Sequence, residues 1–366
     1  MSLGELPDYP WDQMEPYRAT AAAHPDGIVD LSIGSPVDPT PALIQAALAE
    51  AADAHSYPTT IGSTELRAAI VRFMADQRGV SGLGVENVLP TVGSKELVAW
   101  LPFMLGLGEG DVVVHPRAAY PTYEMGARFA GASAFASDDP AEWPERTKLV
   151  WLNSPGNPDG RVLDVPELRA AVAKARELGA VIVNDECYAR LPWEVAEVPS
   201  ILDPRVTDGD LRHILAIYSL SKQSNLAGYR AAFVAGCSKP ISRLTVVRKH
   251  AGMMLPGPVQ HAVTVALGDH EHVDAQRERY RASRQLLKPA LEAAGFRIDH
   301  SEAGLYLWAT EGRDAWESID RLAGLGILAG PGHFYGTHFP EHVRVSLTAS
   351  DERIAAAARR LQQSAG

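Results

Sequence analysis

The chain contains 366 residues, with 34 lysines and arginines against 45 aspartates and glutamates, so its formal net charge is −11. This acidic balance argues against nucleic acid or an anionic membrane as the main partner and leaves small molecules and other protein subunits. Two cysteines without a metal-binding spacing argue against a disulfide framework or a zinc site, and no apolar run approaches the roughly 18 residues of a membrane span. We therefore expect a soluble, cytoplasmic protein that holds no metal.

Short apolar runs alternate with helical stretches through residues 40–262. The runs lie at residues 112–114, 149–152, 181–183, 214–217 and 232–235, and residues 165–178 are typical of the helical stretches. Continuous apolar runs separated by helices are typical of parallel strands that are covered on both faces. The sequence therefore predicts an α/β fold, with a large domain whose mostly parallel sheet is sandwiched by helices.

The pattern changes near residue 269, where a long charged helix is predicted over residues 269–294. Shorter strands are predicted around residues 304–309 and 342–347, and a last helix from about residue 351. We interpret residues 263–366 as a smaller α+β domain, which the N-terminal segment 1–39 joins.

Polar residues follow several of the predicted strands, where open parallel sheets bind their ligands. Gly93-Ser94-Lys95 opens a predicted helix, and the free backbone N–H groups of a helix start favour a phosphate. A plain serine N-cap is the alternative at this position. Tyr120 follows another strand and is placed to stack on a flat ring, although a core tyrosine fits the same pattern.

Asn157 and Asp185 also follow strands. The prolines around Asn157 make a rigid loop that can present its amide to a phenolate oxygen, although any strand-to-helix turn has this composition. A buried carboxylate at Asp185 needs a cationic partner, and a protonated pyridine nitrogen would serve. The alternative is an aspartate that caps the next helix.

Lys222 lies in the segment Ser219-Leu220-Ser221-Lys222, with Arg230 eight residues further on. A lysine amine with a lowered pKa, beside hydroxyls and a guanidinium, can hold a phosphorylated aldehyde through an imine. An ordinary surface turn is the alternative. Arg344 lies inside an apolar strand, where its planar fork suits a substrate α-carboxylate or an internal salt bridge equally well.

Taken in order, these motifs resemble the fold-type I, class I/II aminotransferases, which use pyridoxal 5′-phosphate. The resemblance runs from Ile33-Gly34 through Tyr57 and the segment 65–67 to Arg344. The family loop Asn-Pro-x-Asn-Pro-Thr-Gly has Asp159 in place of the threonine, which puts only the loop's supporting hydrogen bonds in doubt. The resemblance implies a ping-pong transamination in a homodimer with shared active sites.

The resemblance also implies a role for each site residue. Lys222, Asp185 and Tyr188 would be catalytic: Lys222 would carry the aldimine, Asp185 would pair with the ring nitrogen, and Tyr188 would hold the phenolic oxygen with Asn157. Tyr120 would stack on the ring.

The cofactor's phosphate and the substrate would take further residues by the same resemblance. The phosphate would be bound by Gly93, Ser94, Lys95, Ser219 and Arg230. Tyr57 would reach the phosphate held by the neighbouring subunit. The substrate would be bound by Gly34, Asn157 and Arg344.

A narrower resemblance, to the actinobacterial N-succinyldiaminopimelate aminotransferases, concerns the substrate. It rests on residues 6–12, 24–32, 248–254 and 304–310. It implies transfer between N-succinyl-LL-2,6-diaminopimelate and 2-oxoglutarate in lysine and diaminopimelate synthesis. Both substrates carry a carboxylate distant from the reacting amine, so a second cation is expected; Arg117, Arg248 and Lys249 are candidates, and a solvated surface charge is the alternative for each. An aspartate, alanine or aromatic aminotransferase, a β-lyase, or a cofactor-binding regulator without enzymatic activity are the alternatives.

Overall fold

The computed structural model describes residues 10–364, so part of the segment 6–12 lies outside the described residues. The helices are α1 (Glu15–Ala22), α2 (Ala42–Glu50), α3 (Thr64–Arg78), α4 (Ser94–Met104), α5 (Thr122–Ala130), α6 (Val165–Glu177), α7 (Pro204–Thr207), α8 (Ser238–Ala251), α9 (Gly257–Gly268), α10 (Glu271–Ala293), α11 (Ala315–Gly324) and α12 (Asp351–Gln363). The strands are β1 (Val29–Asp30), β2 (Val88–Val92), β3 (Val112–His115), β4 (Ser133–Ala136), β5 (Thr147–Asn153), β6 (Val181–Asp185), β7 (Ile214–Ser219), β8 (Ala231–Gly236), β9 (Arg297–Asp299), β10 (Tyr306–Thr310), β11 (Ile327–Leu328), β12 (Gly330–Pro331) and β13 (His342–Ser346).

A seven-stranded sheet with the order β2-β8-β7-β6-β5-β3-β4 forms the centre of the fold. Strands β4, β3, β5, β6 and β7 are parallel, so the predicted α/β fold with a mostly parallel sheet is confirmed. The prediction of a parallel strand at 232–235 was wrong, because β8 is antiparallel to both β7 and β2. Residues 220–230, which connect β7 to β8, contain only a short 3₁₀ turn and no crossover helix, and a parallel connection needs such a crossover.

Both faces of the central sheet are buried, as the continuous apolar runs predict. Val183, Ile217 and Val234 pack into the core on one face. Their chain neighbours Ile182 and Phe233 pack into a second core on the other face. Because side chains alternate along a strand, covering both faces requires an apolar residue at nearly every position.

A second, antiparallel sheet has the order β12-β13-β10-β9, and β1 pairs in parallel with β11. The predicted strands near 304–309 and 342–347 and the long charged helix are confirmed as β10, β13 and α10. The N-terminal residue Val29 lies opposite Ile327, and the backbone of Ser346 donates to Leu31 at 2.9 Å. The domain boundaries at 39/40 and 262/263 stay a prediction.

One edge of the central sheet collects the strand ends that carry the predicted site. Asp185, at the end of β6, lies opposite Asn153 at the end of β5. Ser219, at the end of β7, lies opposite Ala232 near the start of β8. Since β8 runs in the opposite direction, its first residues lie at the same edge as the last residues of β7. The reversal therefore brings Arg230 to the edge where the parallel strands end.

Within residues 10–364, no helix is long and apolar enough to cross a membrane.

Candidate active site

Lys222 lies just beyond the end of β7, with its side chain directed toward the N-terminal segment. Its Nζ donates a hydrogen bond to the carbonyl oxygen of Gly34. Its own carbonyl oxygen accepts a hydrogen bond from the Tyr280 hydroxyl at 3.1 Å. Burial lowers the pKa of Lys222, and the positive charges of Arg344 and Arg230 act in the same direction. The Lys222 amine is therefore easier to deprotonate than that of a solvated lysine.

Asp185, at the end of β6, is buried, and its carboxylate accepts two hydrogen bonds. Tyr123 donates its hydroxyl to Oδ2 at 3.0 Å, and the backbone N–H of Cys187 donates to Oδ1 at 3.2 Å. Burial raises the pKa of Asp185 despite these hydrogen bonds. Turns, rather than a helix, follow at residues 187–190, so Asp185 does not cap a helix. No cation lies within ion-pair distance of Asp185 among residues 10–364.

The start of α4 lies beside the end of β7 and the residue that precedes β8. We call this group the cationic corner: Gly93, Ser94, Lys95, Ser219 and Arg230. Gly93 is the N-cap of α4, with φ of 79° and no side-chain cap, so Ser94 is the first helical residue rather than the cap. A side chain at Gly93 would collide with the guanidinium of Arg230. Ser219 donates its hydroxyl to that of Ser221 at 2.9 Å. Free N–H groups of a helix start and a guanidinium together are suited to binding an anion.

Arg344 on β13 is buried, with 4% of its surface exposed. Its Nη1 donates to Oδ1 of Asn157 at 2.9 Å, and its Nη2 donates to the carbonyl oxygen of Ser32 at 2.7 Å. Its Nε has no hydrogen-bond partner. In the described part of the chain no carboxylate lies within ion-pair distance of Arg344, so the alternative of an internal salt bridge is not realised. A buried cation with free N–H groups can bind a carboxylate ligand.

Aromatic side chains complete the group around Lys222, which we call the Lys222 pocket: Gly34, Tyr188, Lys222, Tyr306 and Arg344. The hydroxyls of Tyr188 and Tyr306 lie 3.3 Å apart, and the guanidinium carbon of Arg344 lies 3.9 Å from the centre of the Tyr306 ring. Burial raises the pKa of Tyr188 well above its ordinary value.

Tyr120 is half-buried at the margin of this group. Its ring meets that of Tyr123 edge-on, with the ring centres 5.8 Å apart, and Tyr123 in turn contacts Asp185. The structure therefore places Tyr120 near the Asp185 carboxylate, through its contact with Tyr123.

Two members of the site were not predicted from the sequence. Tyr123 donates to Asp185, and its position three residues after Tyr120, in the first turn of α5, is a signal that could have identified it. Tyr306 precedes Trp308 by two residues in β10, and Trp308 lies opposite Arg344. Alternate residues of a strand share a face, so the register of β10 against β13 was needed to identify Tyr306.

Tyr57, Arg248 and Lys249 are not among the residues of the Lys222 pocket or the cationic corner. Tyr57 is 96% exposed. Arg248 is fully buried and its Nη1 pairs with Glu96 at 2.8 Å, so both predictions for it, a site for a distal carboxylate and a solvated surface charge, are wrong. The Lys249 side chain is exposed on the last turn of α8.

Arg117 and Asp159 form contacts away from Lys222. The Arg117 guanidinium pairs with Glu142 at 3.0 Å. Asp159 accepts a hydrogen bond from the backbone of Arg161 at 3.2 Å, and burial raises its pKa. Asp159 also lines a cavity of about 350 Å³ beside the loop, together with Asn153. The departure from the family motif at Asp159 is therefore accommodated within the loop.

Comparisons with known proteins agree on one family. The sequence profile of the family described as aminotransferase class I and II matches residues 26–361. The chain is 54% identical to 4-dedimethylamino-4-oxo-anhydrotetracycline transaminase of Streptomyces rimosus, over 98% of this chain and 100% of that protein. It is 53% identical to a probable aminotransferase of Mycobacterium tuberculosis, over 97% of this chain and 85% of that protein.

Solved structures share the fold. A probable N-succinyldiaminopimelate aminotransferase from Thermus thermophilus superimposes with a TM-score of 0.87 at 28% identity, covering 97% of this chain and 100% of that one.

Proposed function

Because the chain belongs to the class I and II aminotransferases, we propose that Lys222, Asp185 and Tyr188 are its catalytic residues and that N-succinyl-LL-2,6-diaminopimelate is its amino donor. Pyridoxal 5′-phosphate is the cofactor of the family, and the protein is a transaminase. The observation that carries the proposed site is Arg344, a buried cation without a carboxylate partner that stacks on Tyr306 in the Lys222 pocket.

The residues of the site fit this cofactor. The buried carboxylate of Asp185 has no cation among the described residues, and a protonated pyridine nitrogen would supply one. Arg344 donates to Oδ1 of Asn157, which leaves the amide N–H₂ of Asn157 as a donor for a phenolic oxygen. In the proposed site Tyr188 shares that oxygen and Tyr120 stacks on the ring.

The cationic corner is proposed to hold the cofactor's phosphate. The residues concerned are Gly93, Ser94, Lys95, Ser219 and Arg230. Its support is the helix start without a side-chain cap and the guanidinium of Arg230 beside Gly93. Two negative charges on a phosphate are stabilised by such a combination of N–H groups and a cation.

The chain's own residues would perform the proton transfer and the substrate binding. When bound, the cofactor supplies an electron-accepting ring that stabilises negative charge at the substrate's α-carbon. Lys222, with its lowered pKa, is the base whose Nζ would take the proton from the substrate's α-carbon and pass it to the cofactor rather than back to the same carbon. Arg344 binds the α-carboxylate with its free N–H groups, and Gly34 leaves room because any side chain there would collide with Tyr306. Substrate binding therefore fixes the α-carbon within reach of Lys222.

The substrate proposal rests on the sequence resemblance and on similarity to a solved structure. The Thermus thermophilus protein named as a probable N-succinyldiaminopimelate aminotransferase covers nearly the whole chain. 2-Oxoglutarate would be the acceptor in lysine and diaminopimelate synthesis, and a cytoplasmic location belongs to the same proposal.

A second candidate substrate is a ring ketone. It is favoured by the 54% identity to the Streptomyces rimosus transaminase, whose name specifies an oxo group on an anhydrotetracycline. An amine product of this kind has no α-carboxylate beside the reacting carbon, so Arg344 would contribute to recognition of the amino donor only.

A substrate panel separates these candidates. The purified enzyme is mixed with N-succinyl-LL-2,6-diaminopimelate and 2-oxoglutarate, and glutamate formation is measured against aspartate, alanine and aromatic donors. A kcat/KM at least tenfold above every other donor supports the proposal. Preferred amination of a tetracyclic ketone by glutamate would support the second candidate. Pyruvate release without amine transfer would identify a β-lyase and contradict both.

The homodimer is proposed together with a role for Tyr57. At 96% exposure, Tyr57 is accessible to a second copy of the chain, where it would reach the phosphate. Sedimentation of the holoenzyme at micromolar concentration should give the mass of a dimer, and Tyr57→Phe should weaken cofactor binding without changing that mass. A monomer with full activity would contradict the shared site.

A further inference from the structure

Tyr306 occupies the centre of the Lys222 pocket although none of the proposed roles includes it. It is 3% exposed and lies on β10, where Trp308, two residues on, is paired with Arg344 of β13. Residues two apart on a strand share a face, so Tyr306 and Arg344 are diagonal neighbours on that face of the sheet. The position of Tyr306 follows from the register of the two strands.

The Tyr306 ring lies against the flat face of the Arg344 guanidinium. The guanidinium carbon is 3.9 Å from the ring centre of Tyr306 and 4.9 Å from that of Tyr335. A ring at this distance attracts the cation and limits its rotation, while the N–H edge stays available for hydrogen bonds. The edge donates to Asn157 and Ser32, which fixes the guanidinium in the plane of the ring contact.

The Tyr306 hydroxyl meets the other members of the pocket. It lies 3.3 Å from the Tyr188 hydroxyl, and it lies so close to Gly34 that any side chain there would collide with it. The carbonyl oxygen of the same Gly34 accepts the hydrogen bond from Lys222. One side chain therefore contacts the residues proposed to bind the substrate carboxylate and the phenolic oxygen.

The two hydroxyls lie in an environment that shifts the pKa of each in opposite directions. Burial raises the pKa of Tyr306, but the positive charges of Arg344 and Lys222 and the hydrogen bond with Tyr188 outweigh it and lower the pKa overall. Burial and the neighbouring Tyr306 raise the pKa of Tyr188. Either hydroxyl can donate across the 3.3 Å between them. In both arrangements the bond to Tyr306 changes how strongly Tyr188, with its one hydroxyl proton, can donate to the cofactor's phenolic oxygen.

We propose that Tyr306 is a positioning residue with two separable parts: its ring holds Arg344 toward the substrate carboxylate, and its hydroxyl forms a hydrogen bond that tunes the Tyr188 hydroxyl. The proposal rests on the roles proposed above for Arg344 and Tyr188. The ring should act on substrate binding, and the hydroxyl on the ionisation of the bound cofactor.

Two variants separate the parts. Tyr306→Phe keeps the ring and removes the hydroxyl, whereas Tyr306→Leu removes both. Tyr218→Phe is the matched control, since it removes another buried hydroxyl that donates a hydrogen bond, to Gln223, outside the Lys222 pocket. Each holoenzyme is titrated with pH while the cofactor's absorbance is recorded, and the KM for glutamate is measured in the half-reaction.

The expected results differ between the variants. Tyr306→Leu should raise the KM about 2- to 30-fold, the range for losing one cation–ring contact, while Tyr306→Phe leaves it within about twofold. Both should shift the midpoint pH of the absorbance change by about 0.5–1 unit, because losing the Tyr306 hydroxyl changes the strength of the hydrogen bond that Tyr188 can donate to the phenolic oxygen. Tyr218→Phe should change neither quantity.

An unchanged midpoint in Tyr306→Phe, or an unchanged KM in a folded Tyr306→Leu, would overturn the proposal. If Tyr306→Leu does not fold, the midpoint of Tyr306→Phe decides, since that variant keeps the ring packing. Failure of the underlying function gives a different result: Arg344→Gln would then also leave the KM for glutamate unchanged. A large effect of Arg344→Gln with silent Tyr306 variants would refute the role of Tyr306 alone.

Discussion

Replacing Arg344 tests the proposed carboxylate site most directly. Its Nη1 donates one N–H to Asn157, and its Nη2 donates one N–H to Ser32. One N–H therefore remains on each of these nitrogens, together with the N–H of the unpaired Nε. A substrate carboxylate can therefore accept two charge-assisted hydrogen bonds, each worth about 1.5–3 kcal/mol. Losing both in Arg344→Gln removes about 3–6 kcal/mol of transition-state stabilisation, which lowers kcat/KM about 10²- to 10⁴-fold. Arg344→Lys keeps the charge but replaces the forked guanidinium with a single donor nitrogen, so its loss should be roughly half of this in free energy.

The assay is the half-reaction with glutamate, followed by the cofactor's absorbance under single-turnover conditions. An amine that lacks the α-carboxylate is the control substrate, and its kcat/KM should be the same in the wild type and both variants. Near-ultraviolet circular dichroism and retained cofactor absorbance establish that each variant is folded. A folded Arg344→Gln protein with near-wild-type kcat/KM for glutamate would refute the reasoning.

Three further predictions concern Lys222 and the buried ion pair between Arg78 and Glu186. Lys222→Ala should bind the cofactor without a covalent bond that borohydride can trap, and its turnover should fall by about 10²–10⁴-fold or more, as measured by glutamate consumption. The rate at which the apoenzyme binds pyridoxal phosphate covalently should rise with pH. The apparent pKa of this rise should lie below the ordinary lysine value of about 10.4, because burial disfavours the ammonium form of Lys222. A midpoint at or above that value would contradict the assignment of Lys222 as the residue that binds the cofactor. Arg78→Met should lower the free energy of unfolding, measured in urea, by about 3–5 kcal/mol, because the buried carboxylate of Glu186, 2.9 Å from Arg78, then lacks its cation. The control is Arg128→Met, at an exposed ion pair, which should lower the free energy of unfolding by about 1 kcal/mol or less.

The strands and helices were predictable because their patterns are local. The runs at 181–183 and 214–217 are apolar at every position, and both became parallel strands covered on both faces. The direction of β8 was not predictable from its own residues, since the same composition serves either direction. It depends on the connection 220–230, which contains no crossover helix.

The candidate site shows the same limit. Spacing along the chain identified Lys222 and Arg344 as chemically unusual, but it left the partner of Arg344 open between a substrate and an internal carboxylate. Which partner Arg344 has depends on the residues that the tertiary structure brings near it, and spacing along the chain does not reveal them. Arg248 shows the opposite outcome. A carboxylate of this chain, Glu96, which lies 152 positions away in sequence, pairs with Arg248 and leaves it unavailable to a substrate. The contacts of Tyr306 likewise required the register between β10 and β13.

The bond between Arg344 and Ser32 has a consequence for synthesis of the protein on the ribosome. These residues are separated by 312 positions, and β1 likewise cannot form its strand pair until β11 has been synthesised. At about 5–20 residues per second, the early segment emerges about 15–60 s before its partners are translated. The cationic corner, by contrast, is built from residues 93–230. A nascent chain therefore completes its proposed phosphate-binding corner first and gains its proposed carboxylate recognition only near the end of translation.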